Sequence, residues 1–278
     1  MISRMSEVLR YAAFSDTPAG GNPAGVVLDA SGLSDADMLA LAAELGYSES
    51  AFLLGRDIRY FSPLAEVPFC GHATVATAVA LAERDGPGEI VLQTREGPVP
   101  VRTRRDGDGR IAATLTSVPA RVEPLAAADL EELLAALRWD RGDLDAGFPP
   151  RVGFAGVFHP ILAAATRERL GALDYDYDRL GALMAARQWT TAQLVWRETD
   201  TFFHARDPFP PGGTVEDPAT GAAAAAFGGY LRDLGMVTPP ARITILQGED
   251  LGRPGRLVVD IPADRPEIDV TGTAVRIG

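Results

Sequence analysis

The chain is poor in the residues on which several common chemistries depend. It holds one cysteine, Cys70, and three histidines, His72, His159 and His204. A single thiol excludes an internal disulfide and an opposed pair of catalytic thiols, and a cytoplasmic location is the simple expectation. The histidines are not spaced as metal ligands, and HExxH, CxxC, GxGxxG and Walker A patterns are all missing from the sequence. None of these patterns points to a particular metal or organic cofactor. No apolar run reaches the ~18 residues of a membrane-spanning helix. The opening Met1-Ile-Ser-Arg-Met5-Ser has no continuous apolar stretch of signal-peptide type. Basic side chains are outnumbered, 26 against 38 acidic, for a net charge of −12. That balance disfavours nucleic-acid phosphates and anionic membrane surfaces as partners.

What remains has ordinary globular proportions, with 46% hydrophobic and 23% charged residues. The 278 residues are enough for two domains. Pro119 and Pro124 flank the expected boundary. Residues 1–118 form an N-terminal lobe carrying Glu49 and His72, and residues 119–278 a C-terminal lobe carrying Asp217, with the last strand able to return to the first lobe.

Val8–Phe14 reads as a strand, Ser15–Pro23 as turn chemistry and Gly25–Leu28 as a short extended run. Ser34 and Asp37 make a capping box; Met38, Leu41, Ala42 and Leu45 share one helical face, and Gly46 suits the helix end. Tyr47–Leu54 and Ile58–Ser62 read as extended and Ala73–Glu83 as a helix, followed by strands at Glu89–Thr94, Val99–Arg104 and Ile111–Val118. The second half repeats this order. A helix at Ala126–Leu137 leads to strands at Gly153–Phe158 and Ile161–Ala165, then a helix at Tyr177–Arg187. Strands at Ala192–Glu198 and Thr201–Ala205 precede a small-residue helix from Ala222. Strands at Arg242–Leu246, Arg256–Ile261, Glu267–Val270 and Ala274–Ile277 close the chain.

The repetition is sharpest where Glu66–Ala73 (EVPFCGHA) aligns without a gap on Glu216–Ala223 (EDPATGAA), at a constant offset of 216 − 66 = 150. Glu, Pro, Gly and Ala recur at matching places, and each segment opens an Ala-rich helix. Two lobes of one ancestral plan, facing each other across a cleft, are the reading that follows.

Each segment puts a glycine, Gly71 or Gly221, where a loop enters a helix. The unpaired N–H groups of a first turn attract anions, and Ala73 and Ala222 leave room for a small carboxylate substrate. Tight helix–sheet packing explains the same residues without a ligand. At that helix start His72 is expected to be a neutral imidazole able to donate and accept a proton, against the plainer reading of a structural histidine. Asp217, which stands where Val67 stands in the first segment, is either a helix cap or a functional acid. Glu49 shares a strand face with Ala51 and Leu53. Facing inward it would have a raised pKa and shuttle protons near neutrality; the alternative is an edge-strand glutamate. Cys70 reads as a small buried residue near the site.

The segments Gly21-Asn-Pro-Ala-Gly25, Ser48-Glu-Ser50, Pro68-Phe-Cys-Gly-His-Ala-Thr74, Glu216-Asp-Pro-Ala-Thr-Gly221, and Gln247-Gly248 with Gly252-Arg-Pro254 occur in that order. Together they resemble the phenazine-biosynthesis isomerase family, which shares the diaminopimelate-epimerase-like fold. The resemblance spans essentially the whole chain. It implies an α+β fold of two pseudo-symmetric lobes, each a mixed twisted sheet wrapped around a central helix. It also implies a homodimer, no cofactor, and a biosynthetic reaction in which a proton moves within trans-2,3-dihydro-3-hydroxyanthranilate. By motif, Glu49 would be the acid–base, with His72 and Asp217 assisting and the helix starts at Gly71 and Gly221 holding substrate. Ala222 departs from the serine of the phenazine enzyme, so a hydroxyl expected at the substrate is missing. Alternatives of other classes are a mixed-base amino-acid racemase or epimerase and a non-catalytic binder of small carboxylates.

Overall fold

The computed structural model describes residues 7–278; the six before them, where the sequence shows no signal-type stretch, lie outside the described residues. The chain divides into two units. One is formed by the described residues up to Thr116 together with Thr271–Gly278, and the other by Ser117–Val270. Both are mixed α/β.

The first unit runs β1 (Leu9–Ala13), β2 (Asn22–Val27), α1 (Asp35–Leu45), β3 (Glu49–Leu54), β4 (Asp57–Phe61), β5 (Glu66–Val67), α2 (Gly71–Asp85), β6 (Glu89–Thr94), β7 (Gly97–Arg105) and β8 (Ile111–Thr116). The expected capping box forms, with Ser34 and Asp37 exchanging hydrogen bonds, and Gly46 closes α1 in the left-handed conformation at φ 67°. Strand β2 pairs antiparallel with β1 and parallel with β3, which sets Ala24 opposite Glu49. Helix α2 packs against β1, β2, β3, β7 and β8. Every residue from His72 to Ala80 is buried. Short Ala, Val and Thr side chains let strands approach this helix on all sides, as in a core helix rather than an amphipathic surface helix.

The second unit runs β9 (Arg121–Pro124), α3 (Ala127–Leu137), β10 (Arg151–Phe154), β11 (Phe158–Ala163), α4 (Arg167–Gly171), α5 (Tyr177–Arg187), β12 (Gln193–Thr199), β13 (Phe202–Pro208), β14 (Glu216–Asp217), α6 (Gly221–Asp233), β15 (Ala241–Gln247) and β16 (Gly255–Ile261). Helix α6, rich in alanine and glycine, is buried from Ala223 to Leu231 and packs against β9, β10, β11 and β16. A separate core joins α3 and α5 around Leu133, Leu137, Leu180, Met184, Trp139 and Trp189. The last strand, β17 (Asp269–Arg276), enters the first unit, where it pairs with β1 and β8.

Three expectations need correction. Asn22 and Pro23 belong to β2, not to the preceding turn. The strands expected at Gly153–Phe158 and Ile161–Ala165 begin and end two to four residues earlier, because Gly156 turns the chain at φ 103°. Finally, Glu267–Val270 and Ala274–Ile277 are not two strands. Gly272 continues one strand, leaving space for the Phe14 ring, whose Cδ1 would lie 2.2 Å from a Cβ there.

Candidate active site

In the first unit the sequence gathers Glu49, Cys70 and His72 from two elements. Glu49 opens β3, and His72 lies in the first turn of α2. Parallel pairing with β2 also brings in Asn22, whose position depends on two glycines. At Gly21, φ is 56° and a Cβ would lie 2.1 Å from the Ala13 carbonyl oxygen; at Gly25 a Cβ would lie 2.7 Å from Ser50 Oγ. No side chain fits either place, which explains physically why the Gly-Asn-Pro-Ala-Gly segment has glycine at both ends.

His72 is only 5% exposed, and burial pushes its pKa down to about 3. Asn22 Nδ2, which can only donate, sits 3.0 Å from Nδ1. Nδ1 therefore accepts and Nε2 carries the proton, facing Glu49 Oε2 at 3.6 Å and Ser48 Oγ at 3.5 Å. The Glu49 side chain is 13% exposed. Burial pushes its carboxyl above the ordinary value, while hydrogen bonds from Ser48 and Cys70 pull the other way. Cys70 Sγ lies 3.6 Å from Glu49 Oε2 and 3.3 Å from His72 Nδ1.

A thiol, an imidazole and a carboxylate within 4.8 Å of one another are donors of the kind zinc takes. Their directions do not fit one ion. Sγ is 3.3 Å from Nδ1 but 3.7 Å from Nε2, so it lies against the ring, away from the line along which Nε2 would bond a metal. As they stand, the three groups form a hydrogen-bonded acid–base cluster. The sequence contains no lysine, which excludes a lysine Schiff base.

The α2 start is braced from below. Thr74 Oγ1 donates to the Cys70 carbonyl at 2.6 Å, leaving the buried Tyr60 hydroxyl to donate to Thr74 Oγ1 at 2.5 Å. Arg59 grips Glu66 through two hydrogen bonds of 2.8 and 2.7 Å, which holds β5 on β4. Gly71 is half-buried, whereas Ala73, backbone included, has no exposed surface and offers a ligand no accessible atom, against the expectation that it leaves room for substrate.

The second unit builds its own version. Asp217 is 5% exposed and lies in β14 rather than at the helix cap, which is Thr220. The Thr220 hydroxyl donates to Asp217 Oδ2 at 2.6 Å instead of capping α6. Gln247 Nε2 donates to the Asp217 carbonyl at 2.8 Å, while Gln247 Oε1 accepts from Thr220 N at 3.1 Å. Gly248 follows at φ 81°, with the Pro218 carbonyl oxygen 2.7 Å from where a Cβ would stand. Arg206 grips Glu216 as Arg59 grips Glu66, its Nη2 donating to Oε2 at 2.5 Å. Gly221 is buried and Ala222 half-buried. Residue patterns alone did not single out Asn22, Tyr60, Asp207, Thr220 or Gln247; for Asn22, Thr220 and Gln247 the signal lay in the motifs of the family resemblance.

A sequence model described as "Phenazine biosynthesis-like protein" matches residues 11–278. An isomerase of Bacillus subtilis described as uncharacterized, YfhB, is 31% identical over 97% of this chain and 96% of its own. The trans-2,3-dihydro-3-hydroxyanthranilate isomerase of Pseudomonas fluorescens is 32% identical over 96% and 95%. Among solved structures, the Bacillus anthracis phenazine biosynthesis protein of the PhzF family superposes with a TM-score of 0.87 at 25% identity, covering 98% of this chain and 96% of that one. A hydroxyproline epimerase from Agrobacterium vitis, solved with trans-4-OH-L-proline, shares the fold with a TM-score of 0.67 at 15% identity, over 98% and 90%. With a match that begins two residues into β1 and runs to the last residue, the chain belongs to the phenazine biosynthesis-like protein family and is an isomerase.

Proposed function

We propose that this isomerase moves a carbon-bound proton within a small carboxylate substrate without a cofactor. Glu49 is the acid–base, and His72 and Asp217 assist. The observation that carries the reading is the Glu49–His72 pair, 3.6 Å apart and almost sealed from solvent. Glu49 as carboxylate takes a proton from a substrate carbon. The electron pair left behind shifts through the substrate, and the Glu49 carboxyl returns the proton to a second carbon, so that a double bond moves and atoms balance. The neutral His72 Nε2–H is the donor for negative charge that develops meanwhile. A carboxyl raised by burial is matched to returning the proton it has taken.

We further read the two units as copies of one ancestral lobe, each a sheet around a central helix. The offset of 150 recurs in the element starts, β5 at Glu66 and β14 at Glu216, α2 at Gly71 and α6 at Gly221. On this reading the helix-start amides at Gly71, Gly221 and Ala222 are substrate-binding groups, and the active protein is a cytoplasmic homodimer. Ala222, lacking the hydroxyl of the phenazine enzyme, favours a related substrate over the same one.

Deuterium wash-in from D₂O tests the proposal, with trans-2,3-dihydro-3-hydroxyanthranilate and a panel of small cyclic and amino carboxylates. Glu49→Gln should slow exchange by about 10²–10⁴-fold, the usual worth of a general acid–base. Undiminished exchange would remove Glu49 from the mechanism. One observation favours a second reading, an amino-acid epimerase of mixed-base type: the Cys70 thiol, also within 3.6 Å of Glu49 Oε2. Chiral chromatography of proline and trans-4-hydroxy-L-proline reads inversion at one carbon, whereas ultraviolet absorbance reads a moved double bond.

A further inference from the structure

The second unit holds a carboxyl that the reaction above leaves unused. Asp207 has no exposed surface and lies directly opposite Asp217 in the β13–β14 pair. The groups that hydrogen-bond it are neutral. Thr191 Oγ1 lies 3.2 Å from Oδ2. Gln193, with its amide turned so that nitrogen faces the carboxyl, donates to Oδ1 at 2.7 Å and Oδ2 at 3.0 Å. The Thr220 hydroxyl, 2.6 Å from Asp217 Oδ2, also faces Asp207.

Proton accounting at Thr220 is restrictive. A hydroxyl has one proton and two lone pairs. Gln247 Nε2 donates to Thr220 Oγ1 at 3.0 Å and fills one lone pair. The single proton serves Asp217, so Asp207 can bond Thr220 only by donating a proton of its own. Thr191 repeats the logic on the far side, bridging Asp207 and His159 Nδ1, the latter at 2.9 Å. His159 is fully buried and its Nε2 has no hydrogen-bond partner among the described residues. Its proton therefore sits on Nδ1 and is donated to Thr191, which passes its own to Asp207. The charges facing Asp207 come from Asp217 and Glu216 on β14, and both favour a proton on it. The nearest cation in sequence, Arg206, is committed to Glu216 and the Gly171 carbonyl.

The register-equivalent residue of the first unit sharpens the contrast. Opposite Val67 in the β4–β5 pair stands Tyr60, which braces Thr74 of α2 with a neutral hydroxyl. Bracing alone needs no carboxyl, yet the second unit uses one.

We propose that Asp207 and Asp217 form a linked carboxyl pair sharing one proton through the Thr220 hydroxyl, with Asp207 the positioning residue that fixes the protonation of Asp217. In one state Asp207 is protonated and Asp217 ionised. In the other, Asp207 has given its proton to Thr220 Oγ1, Thr220 has given its own to Asp217 Oδ2, and Thr191 and Gln193 hold the Asp207 carboxylate. The exchange conserves protons and needs no solvent. Its link to turnover rests on the reading that Asp217 assists the reaction; the pair itself does not.

Infrared spectroscopy of the full chain at neutral pH tests the pair without any substrate, with Glu49→Gln as background to remove another acid that burial raises; Glu216, raised as well, stays paired with Arg206 in every variant. The expected result is a protonated-carboxyl carbonyl band that disappears in Asp207→Asn and shifts, without disappearing, in Thr220→Val. A band that Asp207→Asn leaves intact, or that Thr220→Val leaves unmoved, overturns the proposal. Should neither variant fold, carbon-13 titration of aspartate carboxyls in the parent chain decides: one carboxyl should remain protonated at neutral pH, and none doing so is the contrary outcome. In the otherwise wild-type chain, Asp207→Asn should displace the pH profile of deuterium wash-in with KM unchanged. Bands as expected with no exchange in any variant would refute the function and leave the pair standing.

Discussion

Burial sets the protonation of the candidate acid–base groups. At His72 burial lowers the pKa to about 3, and the position at a helix start would push the same way. His159 follows, lowered to about 4 by burial. Both rings stay neutral when folded and take up protons on unfolding below about pH 6.5, so each lowers stability as the pH falls from there towards its folded pKa. For His159→Gln, chemical denaturation at stepped pH should show that loss reduced by about 1.4 kcal/mol per pH unit between roughly pH 6 and 4. The buried acids Glu49 and Asp207 carry the opposite sign. Raised in the fold, they hold protons that the unfolded chain has lost, so stability falls as the pH rises above the ordinary carboxyl range. Asp207→Asn should remove that part of the fall, read by the same denaturation series. At this scale the sequence was legible for Glu49, His72 and Asp217, because their residue types are unusual for the places they occupy. Asp207 was hidden because its register partner is ten residues away, whereas Tyr60 and Val67 are seven apart, so the constant offset of 150 misses it.

Elements defined by local chemistry were readable, and those defined by distant partners were not. The α1 cap involves only Ser34 and Asp37, three residues apart. Ser34→Ala should cost about 1 kcal/mol in thermal or denaturant unfolding, the usual worth of an N-cap. The two-residue strands β5 and β14 have no periodicity to read, and each is held by an arginine on the neighbouring strand. Gly272 reads as a break in β17 because nothing nearby in sequence reveals the Phe14 ring against it. Gly272→Ala would drive a methyl into that ring and should destabilise by about 1–3 kcal/mol, as overpacking does. Denaturation midpoints compared with the parent check it. A neutral effect would mean that Phe14, itself strained at φ 61°, moves aside freely.

At the scale of the whole molecule, the first unit is not continuous in sequence. Its β17 strand comes from the far end of the chain and pairs with β1 through Tyr11, Ala12 and Ala13, and Thr271 within it bonds the Thr114 hydroxyl of β8 at 2.8 Å. Deleting Thr271–Gly278 should therefore abolish the hydrogen-exchange protection of α2, although α2 lies some two hundred residues upstream of the cut. Protection that survives the deletion would show that β17 is dispensable to that core. The proposed duplication leaves a trace in the sequence only where the two helix starts align. The structure extends the parallel to the Arg59–Glu66 and Arg206–Glu216 pairs, which sequence alone could not join because their spacings differ.

The proton-shuttling role requires Glu49 to be a sheltered acid that holds its proton abnormally well. Carbon-13 NMR titration of the Glu49 carboxyl, assigned by its absence in Glu49→Gln, measures this directly. A midpoint clearly above the ordinary 4.5 is the predicted result. A midpoint at or below that value would mean an exposed or charge-paired carboxylate, and would contradict the proton-shuttling role.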